Sequence, residues 1–415
     1  MPNPPLIFDP RSPEFRADPY PTYEALRPYG PLALSASGQS WIVTGYSLIK
    51  ALLLNPHIGH PEPQFSQLGL AEAFQNSSTE EKLARLLTSS DQMIRLWMLF
   101  RNPPDHGRLR RVLDRYFAPP AMKRLRPWLY AATQKQLAFM DQTGHFDLLT
   151  DFAKPLALKA SAQALGLPTE DETLLKWLGQ ALTDGFDRLG PTRAELMRMF
   201  MGRAQLTEFF RQEIEKRLRA PRNDALTAAA QAYARGRQSL EEAVANVTQI
   251  VEAGYLATPL LVVNGVRALL HHPEQLAWLQ AHPGQIGSAL EELLRFDSPT
   301  HFTPRTVRAD VPLGKHTLRA GQNIFLLRGA ANREPGCFAA PDQLNLQRRN
   351  FQHLAFGWGI HYCLGAPLSR VVGEVTLSLL LPRLAHWPVE AAPARGQVFV
   401  IHGVRELPVK LEPRE

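Results

Sequence analysis

The sequence predicts a mainly helical fold with a small strand-rich part, an α+β arrangement built as one large domain over residues 1–415. Three observations carry this. Apolar residues recur at spacings of three and four through most of residues 104–296. One such stretch, Ser239 to His271, runs for roughly 30 residues, about 45 Å if continuous, which is long enough to cross a whole domain. Short alternating segments lie outside that helical body, and no linker or break in composition divides the chain.

Taken in order, Tyr20 to Leu26 reads as a short helix ended by Pro28 and Gly30, and Pro31 to Val43 as a hairpin turning at Gly38. Residues 58–100 mix Pro, Ser, Gln and helical pieces and read as a long, partly helical loop of the kind that faces substrate. Helices are expected near 104–116, 121–142, 150–165, 170–187, 193–219 and 223–235. The long helix opens on Ser239-Leu-Glu-Glu, in which Ser239 and Glu242 fit a capping box. A further helix covers about 284–296, followed by short strands, a Pro/Gly-rich meander near 334–350 and a last helix from about 365 to 384. Residues 397–412 alternate and read as a hairpin.

Composition narrows the function. Apolar residues make up 45% and charged residues 20%, enough apolar material for a large core. No run of 18 or more apolar residues and no basic-then-apolar start occurs, so neither a membrane span nor a secretory signal is expected. Two cysteines, Cys337 and Cys363, make a disulfide framework improbable and point to a reducing cytoplasm. The net charge of +7 fits either a basic docking face for an acidic protein or plain solvation. Without basic blocks interleaved with aromatics, nucleic acid is set aside as a partner.

The sharpest signal is Phe356-Gly-Trp-Gly-Ile-His-Tyr-Cys-Leu-Gly365. Gly357 and Gly359 allow a tight turn and a close approach to a flat ligand. A helix starts just after Cys363, and its amides and dipole favour the thiolate, the form that binds iron. His361, two positions earlier, is placed to pair with an acidic group of a cofactor.

This segment resembles the haem-binding loop of the cytochrome P450 family, including the bacterial-type continuation Ala366-Pro-Leu-Ser-Arg370. The resemblance implies a P450 fold, with the long central helix over a haem b (iron protoporphyrin IX) whose fifth iron ligand is the Cys363 thiolate, its metal site. Phe356 and Gly357 would line the cofactor. Asn102-Pro-Pro-Asp-His-Gly-Arg-Leu-Arg110 resembles the stretch contacting the propionates, with His106 and Arg110 on one helical face, and Thr303-Pro-Arg305 resembles the strand whose arginine serves the other propionate with His361. Glu292-Leu-Leu-Arg295 and Arg348 resemble the buried network that holds the fold around the haem. Ala331-Asn-Arg-Glu-Pro335 matches a further landmark of structural role.

The long helix departs from the family. Bacterial members usually carry Ala-Gly-x-acid-Thr-Thr, where the acid and first alcohol help deliver protons. Here the acid position holds Leu256 and the alcohol position Ala257. Glu252, Thr258, Tyr255, a water or a substrate hydroxyl could each substitute, and Glu252 fits equally a solvated or structural carboxylate. Pro259 removes one backbone donor and predicts a kink.

The expected function is a monooxygenase that hydroxylates or epoxidises a small organic molecule of secondary metabolism, fed by a ferredoxin and ferredoxin reductase. Arg108, Arg111, Arg115, Lys123 and Arg370 would form the docking face. The missing acid–alcohol pair keeps open a peroxide-dependent, coupling, dehydrating or rearranging enzyme, and a non-catalytic haem protein. Tyr255, Leu256, Ala257, Phe302 and Ile401 are the expected pocket residues, while Leu70, Phe74 and Met98 fit either the pocket or the core. A monomer is the family default, and the cytoplasmic location without a membrane span expected from composition goes with it.

Overall fold

The computed structural model describes residues 8–61, 89–182, 192–349, 352–384, 387 and 400–410. Leu70 and Phe74 lie outside the described residues, as do most of the 58–100 loop and the end of the segment expected as a helix to 187. Contacts gather into two compact units: Met1–Gly59, Leu125–Leu156 and Leu256–Glu415 in the first, His60–Arg124 and Ala157–Tyr255 in the second.

All the described strands belong to the first unit. The expected N-terminal hairpin forms from β1 (Leu32–Leu34) and β2 (Ser40–Val43), with Ala33 opposite Ile42. The strands β3 (Ile58–Gly59), β4 (His145–Asp147), β5 (Thr303–Val307), β6 (Val311–Leu313), β7 (His316–Leu318), β8 (Asn323–Leu326) and β9 (Pro408–Lys410) follow. The main sheet has the order β1-β2-β8-β5-β3. Its β2–β8 pair is parallel, in register from Ser40↔Asn323 to Val43↔Leu326. Side chains on a strand point alternately to opposite faces. Trp41, Val43, Ile324 and Leu326 therefore enter one core cluster, while Ile42 and Phe325 join another around Phe15, Tyr23, Leu26, Phe302 and Leu327.

Residues 397–412 do not close on themselves within their described part. β9 pairs antiparallel with the distant β4, and Ile401 bridges Thr300. Alternation marks a half-buried strand but does not name its partner.

In the second unit, Asp105–Phe117, Glu172–Leu182, Arg193–Arg219 and Ala225–Ala234 are helices, close to expectation. The Arg193–Arg219 helix starts where Thr192 and Glu195 form a capping box. The segment expected at 121–142 splits into Pro119–Lys123 and Arg126–Thr143, because Pro127 lacks the N–H needed for a helix interior and starts a new first turn instead. Leu148–Ala153 winds as a π-helix before the Lys154–Leu165 helix.

The long helix spans Leu240–Leu270 and continues through Pro259. Its predicted capping box is present: Glu242 N donates to Ser239 Oγ (3.0 Å) and Ser239 N to Glu242 Oε2 (2.9 Å). It is long and apolar enough to cross a membrane, but 72% of its most apolar window is buried inside the fold, as in a core helix. Within the second unit it passes close to the Lys154–Leu165 helix, where a Cβ on Gly254 would stand 2.2 Å from Ser161 Oγ.

One polar knot in the first unit looks like a metal cluster by composition. Asp297, His301 and His402 are buried and bring three ligand atoms within 4.8 Å. Tyr20 donates to Asp297 Oδ1 at 2.9 Å, Arg267 stands 3.7 Å from Oδ2, and Tyr23 bonds His301. The carboxylate charge is thus already balanced within the fold.

Candidate active site

The Cys363 loop is shaped by its glycines. Gly357 and Gly359 have φ of +75° and +72°. A Cβ at Gly359 would also stand 2.7 Å from the Leu53 carbonyl oxygen. Side chains are therefore excluded there twice, by backbone conformation and by space. Cys363 N donates to Phe356 O at 2.9 Å, folding the loop under itself, and the Ala366–Leu384 helix begins three residues later. Phe356, Gly357, His361 and Cys363 are all half-buried, so the loop presents an open face rather than packing into the core. Lys50 Nζ lies 3.8 Å from the Trp358 ring centroid.

Around the loop the first unit sets buried cations. Arg305, on β5, is 5% exposed and donates to Thr303 Oγ1 and the Pro304 carbonyl. Arg328 opens the short Arg328–Ala331 helix after β8, is 8% exposed, and donates through Nη1 to the carbonyls of Leu354 (3.4 Å) and Ala355 (3.2 Å). Burial and the like charge of Arg328 pull Arg305 down to about 9. Burial likewise pulls Arg328 down to about 10, against the opposing effect of Cys363 and Tyr23. Two buried guanidiniums, one felt by the other as a like charge, create demand for an anion.

The expected structural network is present. Arg295 grips Glu292 with two bonds (2.7 and 2.8 Å), Arg348 adds a third at 3.0 Å, and Glu292 is 1% exposed. Arg295 also donates to the carbonyls of Asn332, Pro341 and Gln343. The Glu-x-x-Arg pair thereby ties its helix to the meander.

On the long helix, Leu256 and Ala257 are half-buried, whereas Thr258, Pro259 and Leu260 are buried. Thr258 Oγ1 is bonded to Ser369 Oγ (3.0 Å), so its hydroxyl is tied to the helix behind the cysteine loop. Ile401 is half-buried and Tyr255 buried. Phe302 corrects its expected place: it is 0% exposed, packed near Phe15 and Phe325, and belongs to the core. Met98 is also core, with its amide bonded to Asn246.

The second unit holds the other expected residues. His106 is buried on the Asp105–Phe117 helix, and burial with the nearby Arg110 charge lowers it to about 4, so it stands neutral at pH 7. Arg110 donates to Asp114 (3.0 Å). Glu252 is 5% exposed and held by Arg203 through two bonds of 3.1 and 2.9 Å. Both of its oxygens are engaged, which favours the structural role over proton delivery. Two of the expected docking arginines are occupied as well: Arg108 by Glu242 and Asp105 in this unit, and Arg370 by Glu291 in the first. Arg111, Arg115 and Lys123 remain exposed.

A family model, Cytochrome P450, matches residues 287–394, the part carrying Glu292, Arg295, Arg305, Arg348 and Cys363. The chain is 32% identical over 410 residues to "Biotin biosynthesis cytochrome P450" of Bacillus subtilis (strain 168), covering 97% of this chain and 98% of that one. The chain belongs to the cytochrome P450 family. It is 30% identical to "Vitamin D(3) 25-hydroxylase" of Pseudonocardia autotrophica over 96% of this chain and 95% of that one. Among solved structures, that of CalO2 superimposes with a TM-score of 0.84 at 28% identity, covering 98% and 99% of the two chains. P450BioI, solved with an acyl carrier protein bearing hexadec-9Z-enoic acid, gives 0.81 at 31%, covering 96% and 100%.

This P450 is therefore a haem-dependent oxidoreductase of monooxygenase type, with the mainly α fold and small sheets of its family. Its residues fit the prosthetic group: a half-buried cysteine sits in a glycine-shaped loop, and the first unit buries two cations, Arg305 and Arg328, of the kind that meets carboxylates. Sequence reasoning missed Arg328, Glu291 and Ser369. Arg328 carried a faint signal as a lone charge after the apolar run Ile324 to Leu327.

Proposed function

We propose that this P450 oxygenates an apolar organic molecule, foremost an acyl chain, free or carried on an acyl carrier protein. Cys363 would hold the iron through its thiolate, with Phe356 and Gly357 helping to bind the haem. Arg305, His361, His106 and Arg110 would hold the propionates. When bound, the haem supplies the activation of oxygen. The protein's part is to place the substrate, exclude water and route protons.

One observation carries the substrate reading. Leu256 and Ala257 are among the half-buried positions of the long helix, and both are apolar where bacterial relatives usually carry an acid and an alcohol. The names of the similar proteins support the acyl class, since they include biotin and polyketide biosynthesis P450s and the acyl carrier protein complex. With Thr258 tied to Ser369 and Glu252 to Arg203, a bound water or a substrate hydroxyl takes over proton delivery. Electrons come from a ferredoxin and its reductase, docking near the exposed Arg111, Arg115 and Lys123. The 415 residues work as one domain, in a cytoplasmic monomer.

The test titrates ferric enzyme with fatty acids, acyl carrier protein thioesters, terpenes and aromatics while the Soret band is read. A low- to high-spin shift with acyl ligands is expected. Turnover with ferredoxin, reductase, NADPH and labelled dioxygen should then place label in the product. An acyl panel without a shift, alongside a shift from another class, would overturn the substrate assignment. The same Leu256–Ala257 pair favours a second reading, a peroxide-dependent or non-oxygenating reaction (coupling, dehydration or rearrangement). Product free of label from dioxygen would establish it over the first.

A further inference from the structure

We propose that Arg328 is a second haem-anchoring guanidinium, set beside Arg305 to bind a propionate of the prosthetic group. This rests on the haem-binding reading of the Cys363 site and adds a residue to it.

The case starts from burial. Arg328 is 8% exposed, and a buried cation is costly unless an anion meets it. No carboxylate among the described residues pairs with it. Nη1 takes two main-chain carbonyls at 3.4 and 3.2 Å, both on the segment that runs into Phe356, and Nε is buried without a hydrogen-bond partner among the described residues. The side chain lies against the ligand loop: a Cβ on Gly357 would stand 3.6 Å from Nη1.

The groups of opposite charge type near Arg328 are Cys363 and Tyr23. Cys363 is the proposed iron ligand. Burial pushes the Tyr23 phenol well above its ordinary range, so it stays protonated, and its oxygen is bonded to His301. The neighbouring ion is Arg305, a like charge. A carboxylate for Arg328 would arrive with the cofactor. A carboxylate accepts at up to about four lone-pair sites, so one propionate can take both guanidiniums.

The experiment measures haem transfer to excess apomyoglobin from the wild type, R328L, R328K and R305L. Each is loaded once with protohaem and once with haem dimethyl ester, whose propionates are uncharged. R328L should release protohaem about tenfold faster than wild type or more, as expected for losing a charge-assisted hydrogen bond, with R328K in between. With the dimethyl ester, wild type and R328L should release at the same rate. Equal protohaem rates would overturn the proposal. So would an R328L defect that persists with the ester, which would assign Arg328 to bracing the loop. If R328L does not fold, as judged by far-UV circular dichroism, R328K and R328Q carry the same comparison. A thiolate-type carbon monoxide spectrum from the wild type is recorded first. Its absence would fail the haem-thiolate reading itself, separately from Arg328.

Discussion

Arg370 holds Glu291 in a two-pronged ion pair, Nε to Oε1 at 2.7 Å and Nη2 to Oε2 at 2.9 Å, while its Nη1 donates to the Tyr362 hydroxyl at 3.0 Å. The guanidinium also lies 4.6 Å from the Phe356 ring centroid. One arginine thus fastens the helix after the ligand loop to both ends of that loop and to the Ile286–Phe296 helix. Burial alone would raise the Glu291 pKa, but Arg370 and His353 more than offset it and bring it from 4.5 to about 2.

The sign follows from linkage. A carboxyl whose folded pKa is depressed stabilises the fold above its unfolded value and loses that contribution as pH falls toward the folded one. Between about pH 4.5 and 2 the wild type should lose on the order of 3 kcal/mol through Glu291. Urea midpoints across that range should be flatter for E291Q than for the wild type, from a lower starting stability at neutral pH.

The Glu292 carboxylate serves two arginines while 1% exposed. E292Q leaves two guanidiniums against a neutral amide, and breaking a buried pair in this way costs about 3–5 kcal/mol. The variant should express poorly or melt much lower, with or without haem, in a thermal scan. R348K should be milder, since Arg348 contributes one of the three charged bonds and sits at the edge of the network.

Ser161 and Gly254 set the approach of two helices in the second unit. G254A should destabilise by about 1–3 kcal/mol through overpacking. S161G removes the obstructing atom, so the double variant should recover most of the loss. Chemical denaturation of the four proteins gives the coupling directly.

Restoring the family's acid and alcohol tests the proton route. L256D with A257T should raise the share of oxygen-dependent turnover that ends in product, on the order of tenfold or more if proton delivery limits the reaction. Peroxide release per NADPH consumed should fall. Unchanged coupling would show that the wild type already delivers protons efficiently by another route.

Much of this was legible from residues alone, wherever the signal was local. The Ser239–Glu242 capping box and the periodicity after it fixed the long helix to within a residue at each end. Glu292, Arg295 and Arg348 met as expected because a three-residue spacing on a helix puts two of them on one face. What stayed hidden depended on partners far along the chain. Phe302 looked like a pocket residue beside Thr303 until the sheet buried it against Phe15 and Phe325. Glu252 could be read as a proton carrier because Arg203, on another helix, leaves no mark in the local pattern. Arg328 belongs to no motif, and its meaning appears only once the Leu354–Ala355 carbonyls and Arg305 surround it.

The parallel pairing of β2 with β8 has a consequence for the nascent chain. Trp41, Ile42 and Val43 form a hairpin edge, but their second neighbours, Ile324 to Leu326, leave the ribosome about 280 residues later. Throughout that interval an apolar strand edge stands open to any other extended segment. The soluble yield of this enzyme should therefore depend on translation speed and on chaperones that cover the β1–β2 hairpin until β8 is made.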